Sequence, residues 1–314
     1  MWRLIRRFGL AAAIAGSAAV FGAVPPHPGV LNYIEGNAVL DGNSLNSKSV
    51  GSAEMESGQV LSTQQGKAEV LLTPGVFLRL GDNSSVRMIS PGLTDTRVQL
   101  LNGRAMVEAA DIHDENNIRI KVGESQTALL KEGVYAFDAD RGVVAVYDGK
   151  AAVSEDDRSV DVKGGREVNL NAPLKAEKFD KKAAAQSDPL YAWSKVRSEY
   201  LSQASAASAQ TLVVNNYGWL GGGWYWNPWY SAYSFLPGSG LLYSPFGWGF
   251  YSPYAFYGYA PGYYYVPRVH RVPRAITGPG RVSSGIQPHI GAGRFGAGRS
   301  MPGDGAHGIR GGRR

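Results

Sequence analysis

Between Gly29 and Pro173, apolar and polar positions alternate with the period of two that turns one side of a strand toward a core. The alternation is cleanest at Ile118-Arg119-Ile120-Lys121-Val122, which predicts Ile118, Ile120 and Val122 on a buried face and Arg119 and Lys121 toward water. Similar runs stand at Val76–Leu80, Val98–Leu100, Val134–Phe137 and Val143–Tyr147. A polar-Gly-any-Ala motif occurs four times between such runs: Glu35-Gly36-Asn37-Ala38, Gln65-Gly66-Lys67-Ala68, Asn102-Gly103-Arg104-Ala105 and Asp148-Gly149-Lys150-Ala151. Glycine tolerates positive φ, and Asn-Gly or Asp-Gly is a strong short-hairpin signal. The pattern therefore predicts an all-β domain of stacked β-hairpins over residues 29–173, with Gly36, Gly66, Gly103 and Gly149 as structural turns. About 145 residues suffice to bury one sizeable core.

The period then changes. Lys175 to Lys182 reads as a charged linker. An amphipathic helix is expected over residues 187–209: Ser187 or Asp188 can cap it, Pro189 suits its first position, and Leu190, Trp193, Val196, Tyr200 and Leu201 recur at helical spacing. Residues 211–267 form a Tyr/Trp/Gly/Pro-rich segment without charge. The 49 residues from Tyr217 to Tyr265 hold 21 aromatics, and no helical or strand period persists, so this stretch reads as low complexity prone to self-association. No window of about 20 residues there is free of Gly, Pro and Asn, which argues against a membrane-spanning helix.

Charge divides the 314-residue chain into unequal parts. Arg3, Arg6 and Arg7 precede an apolar stretch, so residues 1–24 read as a signal peptide or N-terminal anchor, giving a periplasmic or other envelope location and a membrane contact through the N-terminus. The tail, 268–314, has nine Arg and one Asp among many Gly and is expected to be disordered. Of the net charge of +6, the leader supplies +3 and the tail +8, which leaves −5 for the body. Such asymmetry points the tail toward an anionic envelope polymer. The chain has no cysteine, which excludes disulfides and thiolate metal sites.

A family resemblance rests on an ordered set of segments. Gly58-Gln59-Val60-Leu61-Ser62-Thr63, then Gly66-Lys67-Ala68, then Leu78-Arg79-Leu80-Gly81-Asp82-Asn83-Ser84 resembles the FecR domain. Leu100–Ala105, Val146–Val153 and Val162–Glu167 fit its recurring strand-turn-strand unit. The resemblance covers roughly residues 29–170. It implies an extracytoplasmic, all-β, non-enzymatic domain, which in the best-known members relays siderophore-receptor occupancy to a sigma-factor regulator. Seven residues precede the apolar leader, so the expectation is a stand-alone envelope member without the cytoplasmic anti-sigma domain, acting as a binding or scaffold module. The alternative is a signalling component linked through a partner to iron-responsive sigma-factor regulation.

Residues that could carry other chemistry are few. His113 is the one histidine inside residues 29–173, and in Asp111-Ile112-His113-Asp114-Glu115 it reads as a solvated loop residue rather than a catalytic base. Neither Asp111–Asn116 nor Glu155-Asp156-Asp157 has the ligand spacing of a calcium loop. No catalytic residue, metal site or cofactor is assigned. Surface binding, to an envelope protein or anionic polymer and not to nucleic acid, is expected at Trp219, Trp224, Trp226 and Trp229 and at Arg294, Arg299, Arg313 and Arg314, because aromatic faces stack and Arg pairs with anions.

Overall fold

The computed structural model describes residues 26–215 and 221–257. The leader, Trp219, and the tail with Arg294, Arg299, Arg313 and Arg314 lie outside the described residues. Fifteen strands form one sheet: β1 (Leu31–Leu40), β2 (Asn43–Leu45), β3 (Val60–Thr73), β4 (Val76–Leu80), β5 (Ser85–Gly92), β6 (Asp95–Asn102), β7 (Arg104–Ala109), β8 (Arg119–Val122), β9 (Ser125–Leu129), β10 (Gly133–Asp138), β11 (Val143–Asp148), β12 (Lys150–Glu155), β13 (Arg158–Lys163), β14 (Arg166–Asn169) and β15 (Glu177–Lys178). Two helices follow, α1 (Lys181–Ser187) and α2 (Pro189–Val214). Two hairpins come next, β16 (Gly223–Asn227) with β17 (Ala232–Leu236) and β18 (Leu241–Tyr243) with β19 (Gly249–Tyr251), and then the short α3 (Tyr254–Tyr257).

The sheet runs β13-β12-β9-β8-β6-β5-β3-β4-β7-β10-β11-β14-β15, with every pair antiparallel except β6 with β8. It curls into a half-barrel. β3 is the pivot: one edge pairs with β1, while the other pairs with β5 through Val60–Ser62 and with β4 through Ala68–Thr73. The Gly164-Gly165 turn joins β13, at one end of the strand order, to β14, the last strand but one at the other. Inside the curl lies an apolar core from nearly every strand, including Val70, Leu78, Val107, Ile120, Phe137, Val146 and Val153. Ile118, Ile120 and Val122 are buried there, on the face their alternation predicts.

The four glycine motifs are not hairpin turns, and that expectation is corrected. Gly36 and Gly66 lie within β1 and β3 and face each other in register, beside a bulge at Gly36/Ala38. A Cβ on Gly36 would collide with the Gln65 carbonyl, and one on Gly66 with the Glu35 carbonyl. The pair therefore lets two backbones approach where the sheet bends. Gly103 (φ +72°) and Gly149 (φ +95°) are corners. Gly103 links β6, paired with β5 and β8, to β7, paired with β4 and β10. Gly149 does the same between β11 and β12. Each lets the chain leave one part of the sheet for another. True hairpin turns are elsewhere, at Pro74-Gly75 and at Asp156-Asp157, so the acidic Glu155–Asp157 stretch ends β12 and turns into β13.

The helical region is also corrected. It is two helices, and the second extends to Val214. Asp180 caps α1, and Asp188 caps α2 by accepting from Leu190 N at 2.9 Å, with Pro189 at the first position. The buried stripe of α2 is mostly small and polar: Leu190, Ser194, Arg197, Ser198, Leu201, Ser202, Ala204, Ser205, Ser208, Ala209 and Leu212. Val196, assigned by spacing to the apolar stripe, is 62% exposed.

The aromatic segment, read as lacking any strand period, contains four strands, and its described part belongs to the folded body. β17 is buried at every position. Phe235 and Phe250 pack with Phe77, Leu71 and Leu201 on the outer face of the sheet. A strand enclosed on both sides has no polar face to alternate with, so period-two reasoning does not see it.

Candidate functional site on the covered face of the sheet

Alternation along β3, β4 and β7 places Val70, Leu78 and Val107 toward the inner core and Glu69, Arg79 and Glu108 toward the outer face. In an open sheet these charges would meet water. Here α2 and the two hairpins cover them, and all three have no accessible surface. Arg79 Nε donates to Glu69 Oε2 at 2.8 Å, and Arg79 Nη1 lies 2.7 Å from Glu108 Oε2 in an ion pair. From α2, Arg197 Nη2 donates to Glu69 Oε1 at 2.9 Å and Ser198 Oγ to Glu108 Oε1 at 2.6 Å. Ser244, between β18 and β19, also donates to Glu108 Oε1. Asn32 of β1 donates to Glu69 Oε1 at 3.0 Å, and its own Oδ1 accepts from Tyr233 N of β17 at 2.7 Å. The network thus joins sheet, helix and both hairpins.

Two carboxylates face two guanidinium groups, so the buried charge cancels. Burial alone would raise the Glu69 carboxyl, but the charges of Arg197 and Arg79 and their hydrogen bonds outweigh it and hold its pKa at about 2. Burial opposes the charge on Arg79, yet Glu108 and Glu69 leave its pKa above the usual value. Arg197 also lies 4.0 Å from the ring centre of Tyr33 and 5.0 Å from that of Tyr200. Such a network depends on every member, because removing one leaves a buried charge unpaired.

A second tie lies at the Gly103 corner. Arg104 Nη2 donates to Asp188 Oδ2 at 2.5 Å, so the residue that caps α2 is also fastened to β7. Burial opposes the Arg104 charge, and its hydrogen bond and ion pair with Asp188 raise its pKa nonetheless.

The structure disperses the predicted aromatic residues. Trp224 and Trp226 are half-buried against the outer-face cluster, and Trp226 crosses Tyr233 edge-on at 5.1 Å. Trp229 is 83% exposed at the tip between β16 and β17. That tip is fixed from below. Buried Asn227 accepts from Trp229 N at 3.0 Å and donates to Ser208 Oγ of α2 at 2.9 Å. Tyr200 Oη donates to Tyr230 O at 2.9 Å.

Sequence reasoning missed the buried quartet. The one available signal was charge at strand positions otherwise flanked by apolar residues, as in Phe77-Leu78-Arg79-Leu80. It also passed over a groove of about 460 Å³. One wall is the Asp111–Asn116 loop and the other is the aromatic layer, with Leu93, Phe235, Pro237 and Leu242 as its apolar lining. Asp111 Oδ1 lies 3.4 Å from His113 Nε2. Burial pushes the Asp111 carboxyl up, opposed by His113 and reinforced by Glu132.

The site's chemistry is ion pairing and surface contact. Glu69 and Glu108 are sealed from any substrate, and the described residues hold no group of three or more His, Cys, Asp or Glu side chains placed to bind a metal.

Comparison with known proteins bears on the same strands. Residues 59–152, from the start of β3 into β12, match the FecR protein family. Glu69, Arg79 and Glu108 fall inside that stretch, whereas Asn32, Arg197, Ser198 and Ser244 fall outside it. Two crystal structures of a putative anti-sigma factor from Parabacteroides distasonis, at 2.50 and 1.65 Å resolution, are similar to this chain at 17% and 16% identity, each with a TM-score of 0.34. Each match takes in 40% of this chain and 62% of that one. None of the curated proteins matches the chain. The half-barrel carries a FecR-like, largely β-sheet domain.

Proposed function

We propose that this chain acts outside the cytoplasm as a signalling component that alters iron-responsive, sigma-factor-dependent transcription by binding a protein partner in the envelope. The FecR protein match over residues 59–152 is the observation that carries this reading. The sealed carboxylates agree with it, because what the molecule offers a partner is shape and surface rather than a reaction. A scaffold role in the envelope is the second reading. It is favoured by Trp229, whose exposed ring sits on a fixed turn, as anchors of protein interfaces do. In that reading residues 211–267 self-associate and the Arg-rich tail holds an anionic envelope polymer, with salt weakening the hold over a screening length of about 8 Å.

The test is deletion of the gene, with complementation by the full chain. Transcription of siderophore-receptor genes is measured under iron limitation with and without added siderophore. The proposal expects siderophore-dependent induction to change several-fold and to return on complementation. Normal induction with a weakened envelope would replace the signalling reading with the scaffold one.

A further inference from the structure

The groove between the Asp111–Asn116 loop and the aromatic layer plays no part in the buried ion network. We propose that it is a docking site for a peptide segment of the protein partner that carries an arginine or lysine flanked by apolar residues. The inference rests on the partner-binding reading above.

Three observations support it. The groove is large, at about 460 Å³, within the roughly 300–1,000 Å³ of sites that hold small ligands. Its lining is amphipathic in one arrangement: Leu93, Phe235, Pro237 and Leu242 supply apolar wall, and Asp111 supplies a carboxylate, with no lysine or arginine among the residues that line it. The long stem of a basic side chain buries well against such a wall while its head reaches a carboxylate. The second observation is the charge around it. Asp114 and Glu115 are exposed on the same loop, and the aromatic wall comes from a part of the chain with no charged residue between Tyr200 and Pro267. A cation approaching the mouth therefore meets carboxylates, of which Asp111 already faces the Nε2 of the lining residue His113 at 3.4 Å.

The third observation is that the loop is built to hold its form. Asn116 Oδ1 accepts from His113 N at 2.9 Å, and Asn116 Nδ2 donates to Leu93 O at 3.2 Å. Asn117 occupies the left-handed region at φ +46°, and its Nδ2 donates to Asp95 Oδ1 at 3.3 Å. On the other side, Gly75 at φ +82° brings the β3–β4 turn so close to Asp111 that a Cβ would stand 2.7 Å from the Asp111 Cβ. A carboxylate held on a fixed loop loses little freedom on meeting a partner, which favours binding.

The experiment uses the full chain and two synthetic probes, acetyl-Leu-Arg-Leu-amide and the same peptide with glutamine in place of arginine. Binding is followed by the NMR signals of the His113 imidazole during titration. The arginine peptide should move those signals saturably and the glutamine peptide should bind at least tenfold more weakly. Asp111→Asn, which keeps the shape, and Leu93→Arg, which places a competing cation at an exposed position, should each weaken binding at least tenfold with an unchanged circular dichroism spectrum. Equal binding of both peptides, no binding of either, or binding indifferent to both substitutions would overturn the proposal. In cells, a gene deletion that alters induction while the Asp111→Asn and Leu93→Arg chains restore it fully would overturn the groove alone and leave the signalling reading standing.

Discussion

Leu78 and Arg79 are neighbours in β4, and neither reaches water, yet they are buried by different means. Leu78 points into the curl of the sheet, where strands from one continuous domain close over it. Arg79 points outward and is dry only because α2 and two aromatic hairpins, more than a hundred residues later, lie across it. The inner face is held by area removed from water and tolerates exchanges of similar volume. The outer face is held by an aromatic cluster and by matched charges, and the charges are intolerant of losing one. The family match takes in Glu69, Arg79 and Glu108 of that outer face and stops before its cover.

The largest expected effect breaks the outer face. Arg79→Ala leaves Glu69 and Glu108 buried without their shared partner and should cost about 3–5 kcal/mol in urea unfolding. Leu78→Ala, the inner control, should cost about 2–5 kcal/mol through lost transfer energy and a cavity. An Arg79→Ala midpoint within 1 kcal/mol of the parent would mean that water enters the cover freely and that the network does not hold it down.

Acid should separate the two faces next. The folded-state pKa of Glu69 is about 2, below the 4.5 of an unperturbed glutamate, so its contribution is present in full above about 4.5 and is lost as pH falls from there toward 2. The difference corresponds to about 3 kcal/mol in order of magnitude. Glu69→Gln should be less stable than the parent at pH 7, and its stability should fall less between pH 4.5 and 2. Parallel pH curves for the two proteins would contradict the depressed pKa.

A corner comes third. Gly149→Val combines positive φ with a Cβ placed 2.5 Å from both the Glu132 carbonyl and the Tyr135 hydroxyl, so a loss of at least about 1–3 kcal/mol is expected in thermal unfolding. An unchanged melting temperature would mean that this corner can flip. The smallest effect is at the tip. Trp229→Ala should alter stability by no more than about 0.5 kcal/mol, because the ring is in water and Asn227 holds the backbone below it. A larger loss would show that the ring packs against the body.

The extent to which these features could be read in the sequence follows the same division. Inner positions such as Ile118, Ile120 and Val122 were legible because burial on one face and water on the other write a period of two. The cap at Asp188 and Pro189 was legible because it is local chemistry. The role of Gly103 and Gly149 was half legible: their residue type marks a special backbone, but whether the chain there reverses into a hairpin or crosses to another part of the sheet depends on which strands pair, and pairing is not local. Val196 and the Ser/Ala stripe of α2 misled for a related reason. Hydrophobic spacing assumes that a buried helix face meets oil, whereas this one meets carboxylates at Arg197 and Ser198 and polar groups of the hairpins at Ser202, Ser205 and Ser208.

A β-rich chain with one sizeable apolar core, a long capped helix and a charge-free aromatic stretch is written in the order of residues alone, because each of these rests on periodicity, capping or composition within a few residues. It took the folded chain to close the aromatic stretch over the sheet and to bring Glu69, Arg79, Glu108 and Arg197 together beneath it. The fold also opened the groove at Asp111 between two distant segments. Charges of opposite sign can be counted anywhere in a chain, but whether they are solvated or paired in the dark depends on what folds back to cover them.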